Sequence, residues 1–182
     1  MIIALTGTPG VGKSSVSEYL KKEKYQVLDI LKIALDNDFV LENDEKRDSK
    51  ILNINQINRY ISKNYESADI IFVDSHLSHM LSYVDYVIIL RCNPNILKDR
   101  LKQKNWKTEK VKENIESEIL DIILCEAVQN HPEKNIFEID TSDKSGKKVA
   151  DCVKEIVNNS FKPMKKYKIG LIDWSEEILK KF

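Results

Sequence analysis

Residues 7–14 read Gly-Thr-Pro-Gly-Val-Gly-Lys-Ser, a complete G-x-x-x-x-G-K-[ST] phosphate loop. Ahead of it lies the short apolar run Ile2-Ile3-Ala4-Leu5-Thr6, with the composition of a buried strand, and behind it Ser14 to Lys22 carries helical spacing, with Val16, Tyr19 and Leu20 on one face. Strand, glycine-rich turn and helix, in that order, form the context the motif requires. Gly7, Gly10 and Gly12 let successive backbone N–H groups point into one concavity that accepts phosphate oxygens. The positive end of the following helix adds to the attraction. Lys13 is placed to reach the β- and γ-phosphates and the Ser14 hydroxyl to ligate magnesium. Ser15 either reaches the α-phosphate or simply extends the helix. A nucleoside triphosphate, with Mg2+, is the implied ligand.

The second half of such a site is legible in Ile70-Ile71-Phe72-Val73-Asp74, four apolar residues ending in a carboxylate. In an open α/β sheet this sets Asp74 at the C-terminal edge of a central strand, where ligands bind, as a direct or water-mediated magnesium ligand. His76 follows two residues later and is a candidate for orienting a nucleophile or exchanging a proton. His79 makes a His-x-x-His pair with it, but without Cys or carboxylate ligands at suitable spacing the zinc reading is weak, and His79 reads as a partly exposed loop or helix residue. His131, before Pro132, reads as a favourable helix-terminus residue.

The rest of the chain alternates between the same two patterns. Runs that read as strands are Ile2–Thr6, Tyr25–Leu28, Asp69–Val73, Tyr83–Leu90 and Asn135–Ile139. Helical spacing covers Ser14–Lys22, Ile30–Asp36, Ile54–Asn64, Pro94–Lys102, Glu109–Asn130 and Lys147–Asn158. Continuous apolar strands suit a sheet buried on both faces. The alternation implies an α/β fold in three layers, a five-stranded parallel sheet flanked by helices. Residues 36–52 are polar, lack a clear period and read as an insertion or mobile loop. Residues 103–110 sit between two helices and could form a short lid, and the tail from Phe161 reads as an appendage.

Composition narrows the class. At 182 residues the chain fits one domain, and 42% hydrophobic with 32% charged residues is a globular profile. No apolar run approaches the ~20 residues of a membrane helix, and Met1-Ile2-Ile3 enters a strand directly instead of forming a secretory pattern. The expectation is a cytoplasmic protein with no membrane partner. A formal net charge of zero gives no support to general nucleic-acid binding. Arginine is confined to Arg47, Arg59, Arg91 and Arg100, so bidentate phosphate contacts have few possible sources. Arg91 and Arg100 are candidate clamps, with a salt bridge or a solvated helix face as the alternative for each. Asp29 contacts an acceptor or caps the next helix. Cys92, Cys125 and Cys152 are widely spaced and read as idle thiols.

No Asn-Lys-x-Asp guanine-reading motif and no transporter-type signature are present. An insertion after the second strand and a lid between late helices match the plan of a nucleoside monophosphate kinase, the insertion holding the acceptor and the lid excluding water. The phosphate loop, Val73-Asp74-Ser75-His76, and the stretch Arg100-Leu101 through Lys104-Asn105-Trp106 to Glu113-Asn114-Ile115-Glu116-Ser117-Glu118-Ile119 together resemble the adenylate kinase isoenzyme six family. That family includes archaeal members linked to small ribosomal subunit maturation. The resemblance covers roughly residues 1–145.

It implies a kinase domain over 1–160, a monophosphate-binding insertion at about 28–51, a lid at about 103–113 and a C-terminal appendage at 161–182. It implies that Gly10, Gly12, Lys13, Ser14 and Ser15 line the ATP phosphates, and that Asp74 and His76 act in magnesium binding and catalysis. Lys104 stands where the family has an ATP-contacting lid arginine, and Lys144 would sit near the adenine. Lys104-Asn105-Trp106 replaces Arg-Gly-Tyr, Lys32 stands in place of an arginine and Leu77 in place of a glycine. A bidentate fork thereby becomes a point charge, which bears on AMP phosphorylation more than on ATP binding. Trp106 stacks on the base or caps the lid.

The implied activity is ATP + AMP = 2 ADP, a broad-specificity nucleoside monophosphate kinase with ATPase activity, acting in small ribosomal subunit maturation. The implied partners are AMP or another monophosphate, a small-subunit ribosomal protein and ribosomal RNA; the basic tail Lys162 to Lys168 suits an acidic or nucleic-acid partner, with a solvated tail as the alternative. The alternative is an ATPase-gated ribosome assembly factor with little kinase turnover. The Asp-x-His pair and the lid stretch argue against a third reading, a kinase for a sugar, acid or coenzyme precursor.

Overall fold

A computed structural model of the chain describes residues 1–44, 49–65, 69–104 and 106–179. Five parallel strands, β1 (Ile2–Thr6), β2 (Gln26–Asp29), β5 (Ile71–Asp74), β6 (Tyr86–Arg91) and β7 (Ile136–Asp140), form one sheet in the order β2-β5-β1-β6-β7. Strand side chains alternate between faces, so each apolar run feeds two cores. Ile3, Leu5, Phe72, Ile88 and Leu90 face one layer, packing on α1 (Lys13–Lys22), α4 (Pro94–Lys102), α5 (Thr108–Ile119) and α7 (Gly146–Asn158). Ile2, Ala4, Ile71, Val73, Val87 and Ile89 face the other, packing on α2 (Ile30–Asp36), α3 (Ile54–Asn64) and α6 (Ile122–Asn130). Helices on both faces of a parallel sheet make the three-layer α/β fold expected from the alternation.

The topology positions the site. From β1 the chain crosses to the edge strand β2, returns through β5 into the place between them, then crosses to β6 and β7 on the other side of β1. The reversal at β1 opens the crevice in which such sheets bind ligands, and the phosphate loop leaves β1 there. Register aligns Leu5 of β1 with Asp74 of β5, and Asp74 with Asp29 of β2. The observed strands β2, β5, β6 and β7 run one residue beyond the apolar runs, so that Asp29, Asp74, Arg91 and Asp140 close their C-terminal edges.

Three segments depart from the sequence expectation. Within residues 36–52, β3 (Val40–Asp44) and β4 (Ser49–Leu52) pair antiparallel, with Val40 opposite Leu52. Apart from the contacts of Phe39, Val40 and Leu52 with the core, this ribbon is solvated, which hides its period. Residues 45–48 of that insertion lie outside the described residues. The single helix expected over Glu109–Asn130 is two, α5 and α6, broken where Asp121 adopts φ 54°. At the break the buried Arg91 guanidinium donates to the Glu118 carbonyl near the end of α5 (3.2 Å) and to the Asp121 carboxylate.

The segment from Phe161, expected as an appendage after the last core helix, packs back on the domain. Phe161 stacks on Tyr86 with ring centroids 4.1 Å apart, and Tyr167 is buried with its hydroxyl donating to Glu155 (2.8 Å). Farther on, the Gly170 N–H donates to Glu138 (2.6 Å) and the Trp174 indole N–H to Glu118 (3.3 Å). An apolar residue every few positions among lysines is too sparse a signal to separate a seated strap from a solvated tail.

Candidate active site

The loop conformation follows from its glycines. Gly7 has φ 141°, and a Cβ there would lie 2.3 Å from the Leu90 carbonyl oxygen. Gly10, at φ 99°, rests on Leu97 and Leu101 of α4, with no room for a side chain. The loop is thus pressed against β6 and α4, and its remaining freedom lies on the open side. No side chain caps the N-terminus of α1, whose preceding residue is Gly12 at φ 111°. The free N–H groups of that first turn face outward with Ser14 and Ser15, both exposed.

Lys13 folds back over the loop, its Nζ donating to the Gly7 carbonyl (2.6 Å) and the Thr8 carbonyl (3.2 Å). Burial pushes its pKa down to about 8, opposed by the negative charges of Asp74 and Glu118 and reinforced by Lys104. An ammonium held by two carbonyls and short of counter-charge is suited to a polyanion.

Asp74 ends β5, one strand from the loop. Its Oδ2 accepts a 2.7 Å hydrogen bond from Ser17 of α1. Burial raises its pKa, while the Ser17 hydroxyl and Lys13 pull it back. Asp74, at the end of β5, and the exposed Ser14 hydroxyl, at the start of α1, are hard oxygen donors on the two elements that flank the phosphate loop. Among the described residues no group of three or more His, Cys, Asp or Glu is arranged around a metal. Magnesium held by one carboxylate, one hydroxyl, phosphate oxygens and water needs none, so the residues fit the ion.

His76 sits at the cleft surface two residues beyond Asp74. Dehydration in the cleft, and then the charges of Lys13, His79 and Lys110, push its pKa down to about 4, leaving a neutral imidazole at pH 7. His79, expected to be partly exposed, is fully buried. Its ring bridges the Thr6 hydroxyl (3.1 Å) and Glu126 (2.9 Å), and its carbonyl accepts from His131 Nε2 (2.7 Å). These bonds pin the turn after Asp74 to the end of β1, and they commit the second histidine of the His-x-x-His pair elsewhere. His131 is likewise a buried donor and not merely a terminus residue.

The lid candidates lie at the start of α5. Lys104 and Lys110 both approach the Trp106 ring, with Nζ 5.4 and 4.7 Å from its centroid. Asn105, between them, lies outside the described residues. Lys144 is exposed on the loop after β7, with its Nζ on the Asp140 carbonyl (2.8 Å). That loop meets α1, because a Cβ on Gly146 would lie 2.8 Å from the Ser15 Cβ. Arg100 ties the two together by donating to the carbonyls of Val11 (3.3 Å), Thr141 (2.9 Å) and Ser142 (3.1 Å).

Of the two alternatives for each arginine, the structure shows the one in which the guanidinium is held within the protein. Arg91 is buried and donates to Glu118 (2.8 Å), Glu138 (2.6 Å) and Asp121, so its guanidinium is committed to carboxylates. Arg100 is a brace between loops. Asp29 caps α2 through the Lys32 N–H (3.1 Å). On the insertion side, a cleft of about 320 Å³ opens between α2 and the ribbon, lined by Ala34, Leu35, Val40, Glu42 and Lys50 among others.

Sequence reasoning assigned no role to Ser17, Thr8 or Glu118. Thr8 donates to Glu118 at 2.5 Å, directly behind the loop. The available signal was the spacing Val111, Ile115, Glu118, which sets a glutamate on the buried face of α5.

Residues 3–121 match the model of the family described as AAA domain. The chain is 40% identical over 178 residues to the "Putative adenylate kinase" of Archaeoglobus fulgidus, covering 98% of this chain and 94% of that protein. The protein of the same description from Methanococcus maripaludis is 42% identical, covering 97% of each. Among solved structures, shikimate kinase from Bacteroides thetaiotaomicron is similar with a TM-score of 0.54 at 14% identity, covering 87% of this chain and 98% of that one. The Bacillus subtilis YorR protein, in complex with phosphorylated GDP, gives 0.56 at 16%, covering 88% and 97%. These last two carry the fold alone, a three-layer α/β P-loop architecture. Full-length matches above one-third identity to the archaeal proteins carry more: the chain belongs to their adenylate kinase-like family.

Proposed function

We propose that the chain is a nucleoside monophosphate kinase that transfers the terminal phosphoryl group of ATP to AMP or a related monophosphate. One observation supports the reading: Lys13, folded over the phosphate loop, and Asp74, at the neighbouring strand end, are close enough for each to shift the other's charge, and a separate cleft lies on the α2–ribbon insertion. Phosphoryl transfer asks the protein mainly for positioning and charge neutralisation. On this reading the loop N–H groups from Gly10 to Ser15 hold the donor phosphates, and Lys13 exchanges its two carbonyls for β- and γ-oxygens. Ser14 and Asp74 would hold magnesium, which when bound would offset the charge on the donor phosphates. His76, neutral at pH 7, accepts a hydrogen bond from the attacking acceptor or water. Lys104, and Trp106 between two lysines, close over the donor, and Lys144 lies toward the base. The relatives' description as adenylate kinases supports AMP as acceptor. Transfer of γ-labelled phosphate from ATP into a panel of monophosphates tests the reading, with label expected in ADP when AMP is supplied.

A second reading is favoured by the arginines. With Arg91 and Arg100 spent on carboxylates and carbonyls, and a lysine at the lid position, charge on the transferring group is met by lysines. This supports modest kinase turnover with ATP hydrolysis beside it, as in a nucleotide-gated factor for small ribosomal subunit maturation in the isoenzyme six manner. The exposed Lys162, Lys165 and Lys168 would meet ribosomal RNA or an acidic face of a ribosomal protein. AMP-independent hydrolysis stimulated by pre-ribosomal particles is the outcome that distinguishes it.

A further inference from the structure

The C-terminal segment ends in a place the proposed chemistry does not explain. Trp174 donates its indole N–H to Glu118 Oε1 at 3.3 Å. The other oxygen of that carboxylate, Oε2, accepts the Thr8 hydroxyl at 2.5 Å. Thr8 belongs to the phosphate loop, and its carbonyl is one of the two that hold Lys13. One buried carboxylate therefore stands between the tail and the loop, and two further hydrogen bonds lead on to the lysine that would meet phosphate.

The Glu118 carboxylate is saturated. Besides Thr8 and Trp174 it accepts from Arg91 Nε (2.8 Å) and the Cys92 N–H (3.0 Å), and a carboxylate has about four acceptor sites. It is only 2% exposed with these four donors in place. Arg91 and Cys92 are fixed at the end of β6, leaving the loop hydroxyl and the tail indole as the donors from movable segments. The tail is held at a second point, where the Gly170 N–H donates to Glu138 (2.6 Å), itself bound to Arg91 (2.6 Å). It is held at a third by Asn95 of α4, which donates to Glu177 (3.2 Å).

We propose that residues 170–174 form a seated strap that sets the phosphate loop, with Glu118 and Trp174 as positioning residues for the nucleotide acting through Thr8. The inference rests on the triphosphate reading of the loop. By linkage, nucleotide and strap each strengthen the seating of the other, so whatever lifts the strap loosens ATP.

Three full-length variants test it: Trp174→Phe keeps the ring and deletes the N–H, Thr8→Val deletes the hydroxyl, and the third combines them. MgATP affinity is measured by calorimetry. Each single change is expected to raise Kd about fivefold, the loss of one charge-assisted hydrogen bond partly recovered by relaxation. The pair is expected to raise it no further than either alone, because both cut one chain of contacts. A Trp106→Phe chain leaves Trp174 as the sole tryptophan of two, and its emission is expected to shift on saturation with MgATP. Wild-type binding of ATP with an unchanged Kd in Trp174→Phe, effects that multiply to about 25-fold in the pair, or an emission that ignores the nucleotide overturns the strap while leaving the loop reading intact. A wild-type chain that binds no ATP overturns both.

Discussion

Ser17 and Asp74 are joined across the α1–β5 interface by a 2.7 Å hydrogen bond. The hydroxyl is 4% exposed and fixes one carboxylate oxygen, leaving the other for the cleft. A carboxylate placed at a strand end is thus also oriented, which a magnesium site needs.

Ser17→Ala should accordingly leave the fold intact while raising the magnesium concentration for half-maximal ADP formation. The expected shift is about 5- to 10-fold, the worth of one hydrogen bond to a charged group. Magnesium titration at saturating ATP checks it, and the maximal rate at high magnesium should change less than the midpoint.

Lys13 predicts a proton uptake. Its pKa lies near 8 in the free protein, against 10.5 for a free lysine, and bound phosphate should raise it. At pH 8, ATP binding should therefore take up about half a proton, falling toward zero at pH 6.5 as far as Lys13 is concerned. Calorimetry in buffers of different ionisation enthalpy reads this directly. The sign for stability follows the same shift. The unfolded chain binds the extra proton between about pH 8 and 10.5, so the nucleotide-free protein gains stability from Lys13 as pH rises through that window. Lys13→Met should abolish ATP binding and remove that rise.

Dehydration and the nearby positive charge of Lys13 lower the pKa of the exposed His76 below that of an ordinary imidazole. The pH dependence of kcat/KM should lack an acid limb from this histidine near pH 6.5, where an ordinary imidazole would protonate. His76→Ala should lower turnover about 10- to 100-fold with little change in ATP affinity. Steady-state kinetics between pH 5 and 8 distinguish these outcomes.

Arg91 serves the fold. Arg91→Met leaves Glu118, Glu138 and Asp121 facing one another without their cation. The cost should be about 3–5 kcal/mol of stability, read by chemical denaturation. A phosphate clamp would behave in the opposite way, with weak ATP binding and normal stability.

These residues also mark where sequence reading succeeds. Local pattern suffices for the loop, because Gly7 and Gly10 are demanded by backbone geometry and Lys13 and Ser14 follow in fixed register. Asp74 and the parallel sheet follow from apolar runs that must be buried on both faces. The fate of Arg91 was not legible: its partners lie on α5, at the α5–α6 break and on β7, 27 to 47 residues away. The α5–α6 break, within continuous helical spacing, and the seating of the tail through Gly170 and Trp174 likewise involve carboxylates and an arginine from distant elements. The β3–β4 ribbon escaped for a different reason, since a solvated hairpin has little need of a hydrophobic period.

The most direct test of the account is ADP formation from MgATP with and without AMP, in wild type beside Asp74→Ala. The account predicts ADP formation that depends strongly on AMP and is lost in the variant. Slow hydrolysis indifferent to AMP, or turnover unchanged in Asp74→Ala, would contradict it.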